Sequence, residues 1–316
     1  MSSLSWRDVA VDGATVRVME AGRGDPLLFL HGWGLTPRAY AAGVTRLTGA
    51  GVRVVAPCLP GFGGSDGLGV TRISLPAYAE RIGRLLDVLE IDHPVFVAGH
   101  SFGGGVAIQL ATDRPERVRS LTLVNTVGGA PGRRSGLTDT SWLRWAAGTL
   151  GELNGTGLLR AAPSLLRDYL PNVVRRPAAM ALSARLALTA SLSQDVEALV
   201  RQGTPVLFIW ADSDRVVAPG ALADVVTSLP AEVIEGRHGW LLTEPEEFAT
   251  LMRNALVVHA MLERRQRGQA IVLPKGRSLA DLIPPERRSA ARRGGQRRSA
   301  APRTEHHADA AERMRS

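Results

Sequence analysis

Short runs of apolar residues recur along residues 15–264, separated by stretches in which apolar residues follow helical spacing. An uninterrupted apolar run of four or five residues predicts a strand buried on both faces. The alternating segment 15–20 predicts a half-buried strand, and 231–234 predicts a short one. Because predicted strands alternate with helices, the pattern indicates an α/β fold with a mostly parallel sheet covered by helices on both faces. The segments that read as continuous buried strands are 27–30, 52–56, 95–98, 121–124 and 206–210.

The segments between these runs have the spacing of amphipathic helices. In residues 78–90, Ile82, Leu85, Leu86 and Leu89 form one apolar stripe. Similar patterns predict helices over 104–111, 221–229 and 245–264.

Residues 128–202 contain no convincing strand. Apolar segments at 142–150, 158–166 and 180–192 predict helices there. Such helices could merely add to the packing of the core. Their place between two core strands favours a helical cap that lies over the strand ends. We therefore predict a core in two parts (1–127 and 203–264), a cap insertion (128–202) and a basic, disordered tail (265–316).

The net charge of +8 is concentrated at one end of the 316-residue chain. Residues 264–316 contain 14 Lys and Arg against five Asp and Glu, whereas residues 1–263 contain 24 against 25. High net charge with few apolar residues predicts a disordered tail. The tail has no aromatic residue to stack on bases. We therefore expect no specific nucleic-acid partner and, at most, a weak contact with an anionic surface.

The rest of the composition excludes several classes of protein. The chain is 45% hydrophobic and 22% charged, as in an ordinary globular protein. Cys58 is the only cysteine, so neither an internal disulfide nor a Cys/His zinc site is expected. No apolar run is long enough for a transmembrane segment, and the N-terminus lacks the pattern of a secretory signal. We expect a cytoplasmic protein.

The strongest chemical signal is the segment Gly99-His100-Ser101-Phe102-Gly103, which follows a predicted strand and precedes a predicted helix. G-x-S-x-G in this setting marks a nucleophile elbow. A serine on so tight a turn has strained backbone angles, and side chains two residues away on either side would clash. The start of a helix also places backbone N–H groups beside a developing oxyanion. The alternative is a glycine-rich turn with an incidental serine.

Over about residues 6–264 the chain resembles the α/β-hydrolase superfamily, in the serine-nucleophile group with a helical cap. The resemblance implies a catalytic triad in the chain order Ser101, Asp214, His238, with each partner following a strand. Asp212 also lies just past its strand, but the Arg-Val-Val that follows Asp214 matches the family pattern and favours Asp214.

The loop His31-Gly-Trp-Gly34 matches the family segment that completes the oxyanion hole. The resemblance implies that the backbone N–H groups of Trp33 and Phe102 form this hole. Gly32 and Gly34 let the backbone approach the nucleophile without a side-chain collision. We interpret His31 as a structural, hydrogen-bonding residue.

Two positions depart from the family pattern. Cys58 stands where an aspartate is common, in a loop outside the triad, and Ala218 replaces a proline that usually follows the acid. The first departure concerns loop packing more than catalysis.

The resemblance implies hydrolysis of a carboxylic ester through an acyl-enzyme. Trp33, Phe102 and Trp240 are expected to border the cleft and to favour a hydrophobic acyl substrate. The same triad serves carbon–carbon bond hydrolases, perhydrolases or haloperoxidases without a cofactor, and lyases, and these alternatives stay open. A non-catalytic binding protein is a less favoured hypothesis. No metal or cofactor motif occurs, so none is expected.

Overall fold

The computed structural model describes residues 4–129, 155–217 and 231–266, and the strands in these ranges form one eight-stranded sheet. Its order is β1-β2-β4-β3-β5-β6-β7-β8. The β1–β2 and β2–β4 pairs are antiparallel, and every other pair is parallel, which confirms the predicted α/β fold. The strands are β1 (Ser5–Val11), β2 (Ala14–Gly22), β3 (Asp25–Leu30), β4 (Val52–Pro57), β5 (Val95–His100), β6 (Val118–Val124), β7 (Val206–Ala211) and β8 (Ala231–Ile234).

Helices flank this sheet and also connect β6 to β7. Every helix predicted within the described ranges is present, with ends shifted by a few residues. The described helices are α1 (Pro37–Leu47), α2 (Leu75–Val88), α3 (Phe102–Asp113), α4 (Gly155–Ser164), α5 (Leu170–Arg175), α6 (Pro177–Thr189), α7 (Ser193–Arg201), α8 (Trp240–Thr243) and α9 (Pro245–Gln266).

Two cores lie on opposite faces of the sheet. Along β3, Leu28 and Leu30 belong to one core, which α2, α3 and α7 complete. Leu27 and Phe29 belong to the other, which α1, α8 and α9 complete. Side chains alternate between the two faces of a strand, and here both faces are covered. The central strands are therefore apolar along most of their length, with exceptions such as Arg53 on β4 and Thr122 on β6.

The sequence pattern predicted neither β1 nor α1. In β1 only Val9 and Val11 are buried, because β1 is an edge strand whose other side chains face outward. In α1 the buried stripe includes small residues such as Ala39 and Gly43, which give a weak apolar signal. Both elements therefore depend on tertiary packing more than on an apolar pattern in their own sequence.

Helices α4 to α7 lie in the segment predicted to form the cap, and a π-helical turn at Leu165–Tyr169 separates α4 from α5. The predicted helices at 142–150 and 221–229 lie outside the described residues, as do Ala218 and residues 267–316 of the tail. Within the ranges that the structure describes, no helix is long and apolar enough to cross a membrane.

A buried histidine joins α9 to the sheet. His259 is 1% exposed, and its Nε2 lies 3.0 Å from the hydroxyl of Thr122 on β6. Burial, and secondarily the positive charge of Arg119, lower the pKa of His259 from its ordinary value of 6.5 to about 4.

The free energy of unfolding should therefore fall as the pH is lowered from about 6.5 towards 4. In this range the unfolded chain binds a proton at position 259 and the folded chain does not. At pH 5 this one group should cost about 2 kcal/mol relative to pH 7.5. Urea unfolding at both pH values measures the loss. A His259→Gln variant that kept the full pH dependence of the wild type would contradict the assignment.

Candidate active site

Ser101 occupies a sharp turn between β5 and α3. Its backbone angles are φ 53° and ψ −118°, outside the regions that non-glycine residues ordinarily adopt. The turn is held firmly, since the Ser101 N–H donates to the Val124 carbonyl at 3.0 Å and its carbonyl accepts from Gly104 at 3.0 Å. The serine side chain is thus carried on a strained but fixed backbone.

The glycines around Ser101 are required by close backbone contacts. A Cβ atom on Gly99 would lie 2.5 Å from the Gly103 carbonyl oxygen. A Cβ atom on Gly103 would lie 2.5 Å from the His31 carbonyl oxygen and would also meet Leu30. The predicted clash two residues on either side of the serine is therefore confirmed.

The structure brings together the three side chains that the sequence predicted as a triad. The Oγ of Ser101 lies 2.9 Å from Nε2 of His238, and Nδ1 of His238 lies 2.8 Å from Oδ2 of Asp214. All three residues are buried. A carboxylate can only accept, so Nδ1 of His238 carries the hydrogen and Nε2 is left to accept from the serine hydroxyl.

Asp214 is oriented by the turn that contains it. Its second oxygen, Oδ1, accepts from the backbone N–H groups of Val216 and Val217 at 2.8 and 2.9 Å. These bonds leave Oδ2 directed at His238. The competing carboxylate, Asp212, instead accepts from the backbone N–H of Gly236 at 3.3 Å. The geometry therefore places Asp214, and not Asp212, against His238.

The loop predicted to complete an oxyanion hole runs directly past the serine. A Cβ atom on Gly32 would lie 2.9 Å from Nδ1 of His100 and 3.3 Å from the Cβ of Ser101, so a side chain here would force these neighbours to shift. Gly34 has φ 75°, in the left-handed region that favours glycine. Phe102 is the first residue of α3, and the N–H groups at the start of a helix have no partner within it. Of the two predicted oxyanion donors, Phe102 directly follows Ser101, and Trp33 follows Gly32 in the loop that approaches it.

His31 has a structural role in the loop, as the sequence analysis interpreted it. Its Nε2 accepts from the Leu59 N–H at 2.9 Å, and its Nδ1 lies 2.9 Å from the Gly32 carbonyl. Burial lowers the pKa of His31 to about 4, so the ring stays neutral and can serve as this acceptor.

The side chains predicted to contact substrate differ in their surroundings. Trp33 reaches α6, where its Nε1 donates to the hydroxyl of Ser183 at 2.9 Å. Phe102 is fully buried with its ring edge-on to Tyr78, and Trp240 packs edge-on against Phe248 in the other core. Substrate contact by these three residues stays a prediction.

Cys58, the departure from the family pattern, is buried in the loop that follows β4. A Cβ atom on Gly63 would overlap its sulfur. The Cys58 N–H donates to the Arg17 carbonyl, and its own carbonyl accepts from the Ser65 hydroxyl, both at 2.8 Å. The Cys58 side chain therefore packs within the loop that follows β4, next to β2. Among the described residues, no cluster of three or more His, Cys, Asp or Glu could hold a metal ion.

A sequence model of the Alpha/beta hydrolase family matches residues 27–251. The chain belongs to the alpha/beta hydrolase family. A candidate non-heme haloperoxidase of Mycobacterium phage D29 is 30% identical to this hydrolase in an alignment of 275 positions that covers 79% of this chain and 94% of the relative. A pimeloyl-acyl-carrier-protein methyl ester esterase of Aromatoleum aromaticum is 29% identical in an alignment of 256 positions that covers 73% of this chain and 97% of the relative.

Solved structures agree on the fold of this hydrolase. A thermophilic esterase from Thermogutta terrifontis superimposes with a TM-score of 0.64 at 20% identity, covering 81% of this chain and 99% of that one. The predicted resemblance is confirmed at the level of the superfamily. Family membership and these relatives identify the protein as an enzyme of the hydrolase type.

Replacing Gly103 by alanine should destabilise the fold by about 2 to 3 kcal/mol, because the new methyl group would overlap backbone carbonyls that cannot move aside. Gly49 is the matched control, since nothing lies within 4 Å of its Cβ position. Gly49→Ala should change stability by less than about 1 kcal/mol. Urea unfolding of both variants tests the contrast, and equal stabilities would refute the close approach at the elbow.

Proposed function

We propose that this protein is a serine hydrolase that cleaves a carboxylic ester through an acyl-enzyme intermediate, with Ser101, His238 and Asp214 as its catalytic triad. The observation that carries the proposal is the unbroken hydrogen-bond chain from the Ser101 hydroxyl through the imidazole to the Asp214 carboxylate. A buried serine fixed on a strained turn beside an imidazole acceptor is the arrangement that activates a nucleophile.

In the first half-reaction, the Ser101 oxygen attacks the ester carbonyl carbon while Nε2 of His238 takes the hydroxyl proton. Asp214 holds the resulting imidazolium through its bond to Nδ1 and stabilises the positive charge. The tetrahedral intermediate collapses as His238 returns the proton to the alcohol oxygen, and the alcohol leaves. The acyl group remains on Ser101.

In the second half-reaction, water takes the place of the alcohol. His238 removes a proton from the water, whose oxygen attacks the acyl carbonyl, and then returns the proton to Ser101 as the carboxylic acid forms. The backbone N–H groups of Phe102 and Trp33 are the proposed oxyanion donors in both steps. Each such donor typically contributes about 3 kcal/mol to transition-state stabilisation.

The surroundings of the serine support a hydrophobic acyl substrate. Trp33 donates to Ser183 of α6, and Met180 and Ala184 of the same helix belong with Trp33 to one hydrophobic core. We further propose that segment 128–202, which includes α4 to α7, forms the cap of this pocket. Trp33 would then serve as a wall shared by the oxyanion loop and the cap.

A second reaction deserves a direct test because the relative from Mycobacterium phage D29 is named as a non-heme haloperoxidase. The same serine, once acylated, could pass its acyl group to hydrogen peroxide instead of water and release a peracid. A panel of esters of increasing chain length, diketones, and acetate with peroxide separates ester hydrolysis, carbon–carbon bond cleavage and peracid formation. The fastest substrate class in this panel assigns the reaction.

Replacing Ser101 by alanine should remove labelling by a fluorophosphonate probe and lower kcat for ester hydrolysis by about 10⁴-fold or more, because the nucleophile is lost. Ser120→Ala is the control, since Ser120 is also buried but lies on β6, away from the triad. Labelling that survived in Ser101→Ala would refute the proposed nucleophile.

Replacing Asp214 by asparagine should lower kcat by roughly 10⁴-fold, because an amide in place of Oδ2 favours the wrong tautomer of His238. Asp212→Asn provides the matched comparison in the same loop and should reduce kcat by less than tenfold. Steady-state ester hydrolysis measures both variants. A larger loss in Asp212→Asn than in Asp214→Asn would reverse the assignment of the acid.

A further inference from the structure

A second buried hydrogen-bond chain runs behind the proposed triad. The Gly32 N–H lies 3.1 Å from the Tyr40 hydroxyl, which lies 2.8 Å from Nδ1 of His100. Nε2 of His100 lies 3.2 Å from the backbone carbonyl of His238. Tyr40 and His100 are both buried. The chain therefore joins the oxyanion loop to the loop that carries the proposed general base.

The direction of each hydrogen bond in this chain follows from its ends. A carbonyl can only accept, so Nε2 of His100 must donate to His238, and in the neutral ring Nδ1 must then accept. Tyr40 donates its hydroxyl hydrogen to that Nδ1, and its oxygen accepts from the Gly32 N–H. Burial lowers the pKa of His100 well below its ordinary value and raises that of Tyr40, so both side chains are neutral. Every polar group in the chain is satisfied.

Asn125 supplies the His238 carbonyl with a second donor. Its Nδ2 lies 3.2 Å from that oxygen, and its Oδ1 accepts from the Ala211 N–H at 3.0 Å. Asn125 follows β6 with φ 43°, in the left-handed region that asparagine tolerates, and its own N–H donates to Ile209 at 2.9 Å. The amide is thus wedged between the ends of β6 and β7.

We propose that Tyr40, His100 and Asn125 are positioning residues that hold the main chain of His238 and the peptide of Gly32 in one rigid unit. The inference rests on the proposed function, since it concerns how the general base and the oxyanion loop are aligned on Ser101. Because Gly32 precedes Trp33, and His100 precedes Ser101, a single network fixes the base, the nucleophile and the second proposed oxyanion donor relative to one another. A displacement of one is transmitted to the others.

The network also controls charge beside the base. The rings of His100 and His238 lie 4.8 Å apart between centroids, so a charged His100 would oppose the imidazolium that forms on His238. The hydroxyl of Tyr40 stabilises the neutral tautomer of His100 by donating to its Nδ1. The neutral ring can then support the His238 backbone without repelling the charge that develops during the reaction.

Steady-state ester hydrolysis by three full-length variants tests the proposal. Tyr40→Phe keeps the edge-on ring contact with Phe29, so it removes little besides the hydroxyl. It should lower kcat about tenfold with KM within twofold of the wild type, because the reacting groups lose alignment while the pocket is retained. His100→Leu should lower kcat about 100-fold. In His100→Gln the amide can donate to the His238 carbonyl, so kcat should be about tenfold higher than in His100→Leu.

His259→Gln is the control, because it also removes a buried, hydrogen-bonded histidine but at α9, away from the triad. It should leave kcat within twofold of the wild type. Thermal unfolding of each variant verifies the fold, and if His100→Leu does not fold, Tyr40→Phe and His100→Gln decide the test. The second-order rate of labelling by a fluorophosphonate should fall in parallel with kcat.

Folded variants with kcat and labelling rate within twofold of the wild type would overturn the network. So would an increase in KM at constant kcat, which would indicate a role in substrate binding. Failure of the proposed function gives a different result, since the wild type would then resist labelling or Ser101→Ala would keep its turnover. The two proposals are therefore tested separately by one set of proteins.

Discussion

The strained turn at Ser101 is the constraint on which the rest of the site depends. Its left-handed backbone sets the hydroxyl at the junction of β5 and α3, and it persists because the backbone is bonded to the neighbouring strand end at Val124. The same turn draws Gly103 against the β3 end so closely that no side chain fits. The proposed nucleophile therefore stands at a fixed point to which the other loops must conform.

Buried polar groups hold His238 in position relative to Ser101. The carbonyl of His238 receives donors from His100 and Asn125, while the imidazole receives its orientation from Asp214. Each of these buried groups has a hydrogen-bond partner, because an unpaired polar group is costly in low-dielectric surroundings. The backbone and the side chain of His238 are thus held by different partners, and a defect in either set would misalign the imidazole with Ser101.

The sequence predicted the features that depend on local chemistry. Mainly apolar runs identified the central strands, because those strands are buried on both faces. The glycines around Ser101 identified the elbow, because they meet a steric requirement within a few residues. It did not predict β1, whose burial depends on pairing with β2, nor the network through Tyr40 and Asn125. A tyrosine in an unpredicted helix and an asparagine after a strand carry no local signal, and only the tertiary fold brings Tyr40 to His100 and Asn125 to His238.

The proposed nucleophile and base are 137 residues apart in the chain. Contacts between residues so far apart in the sequence form late, because closing the intervening segment costs conformational entropy before the contact provides any stabilisation. During synthesis, the turn at Ser101 emerges well before β7, β8 and the loop of His238. A partly made chain consequently holds the serine without its proposed proton acceptor. Reactivity of Ser101 would then report that the last strands have joined the sheet, and nascent chains would be protected from unwanted acylation until folding is nearly complete.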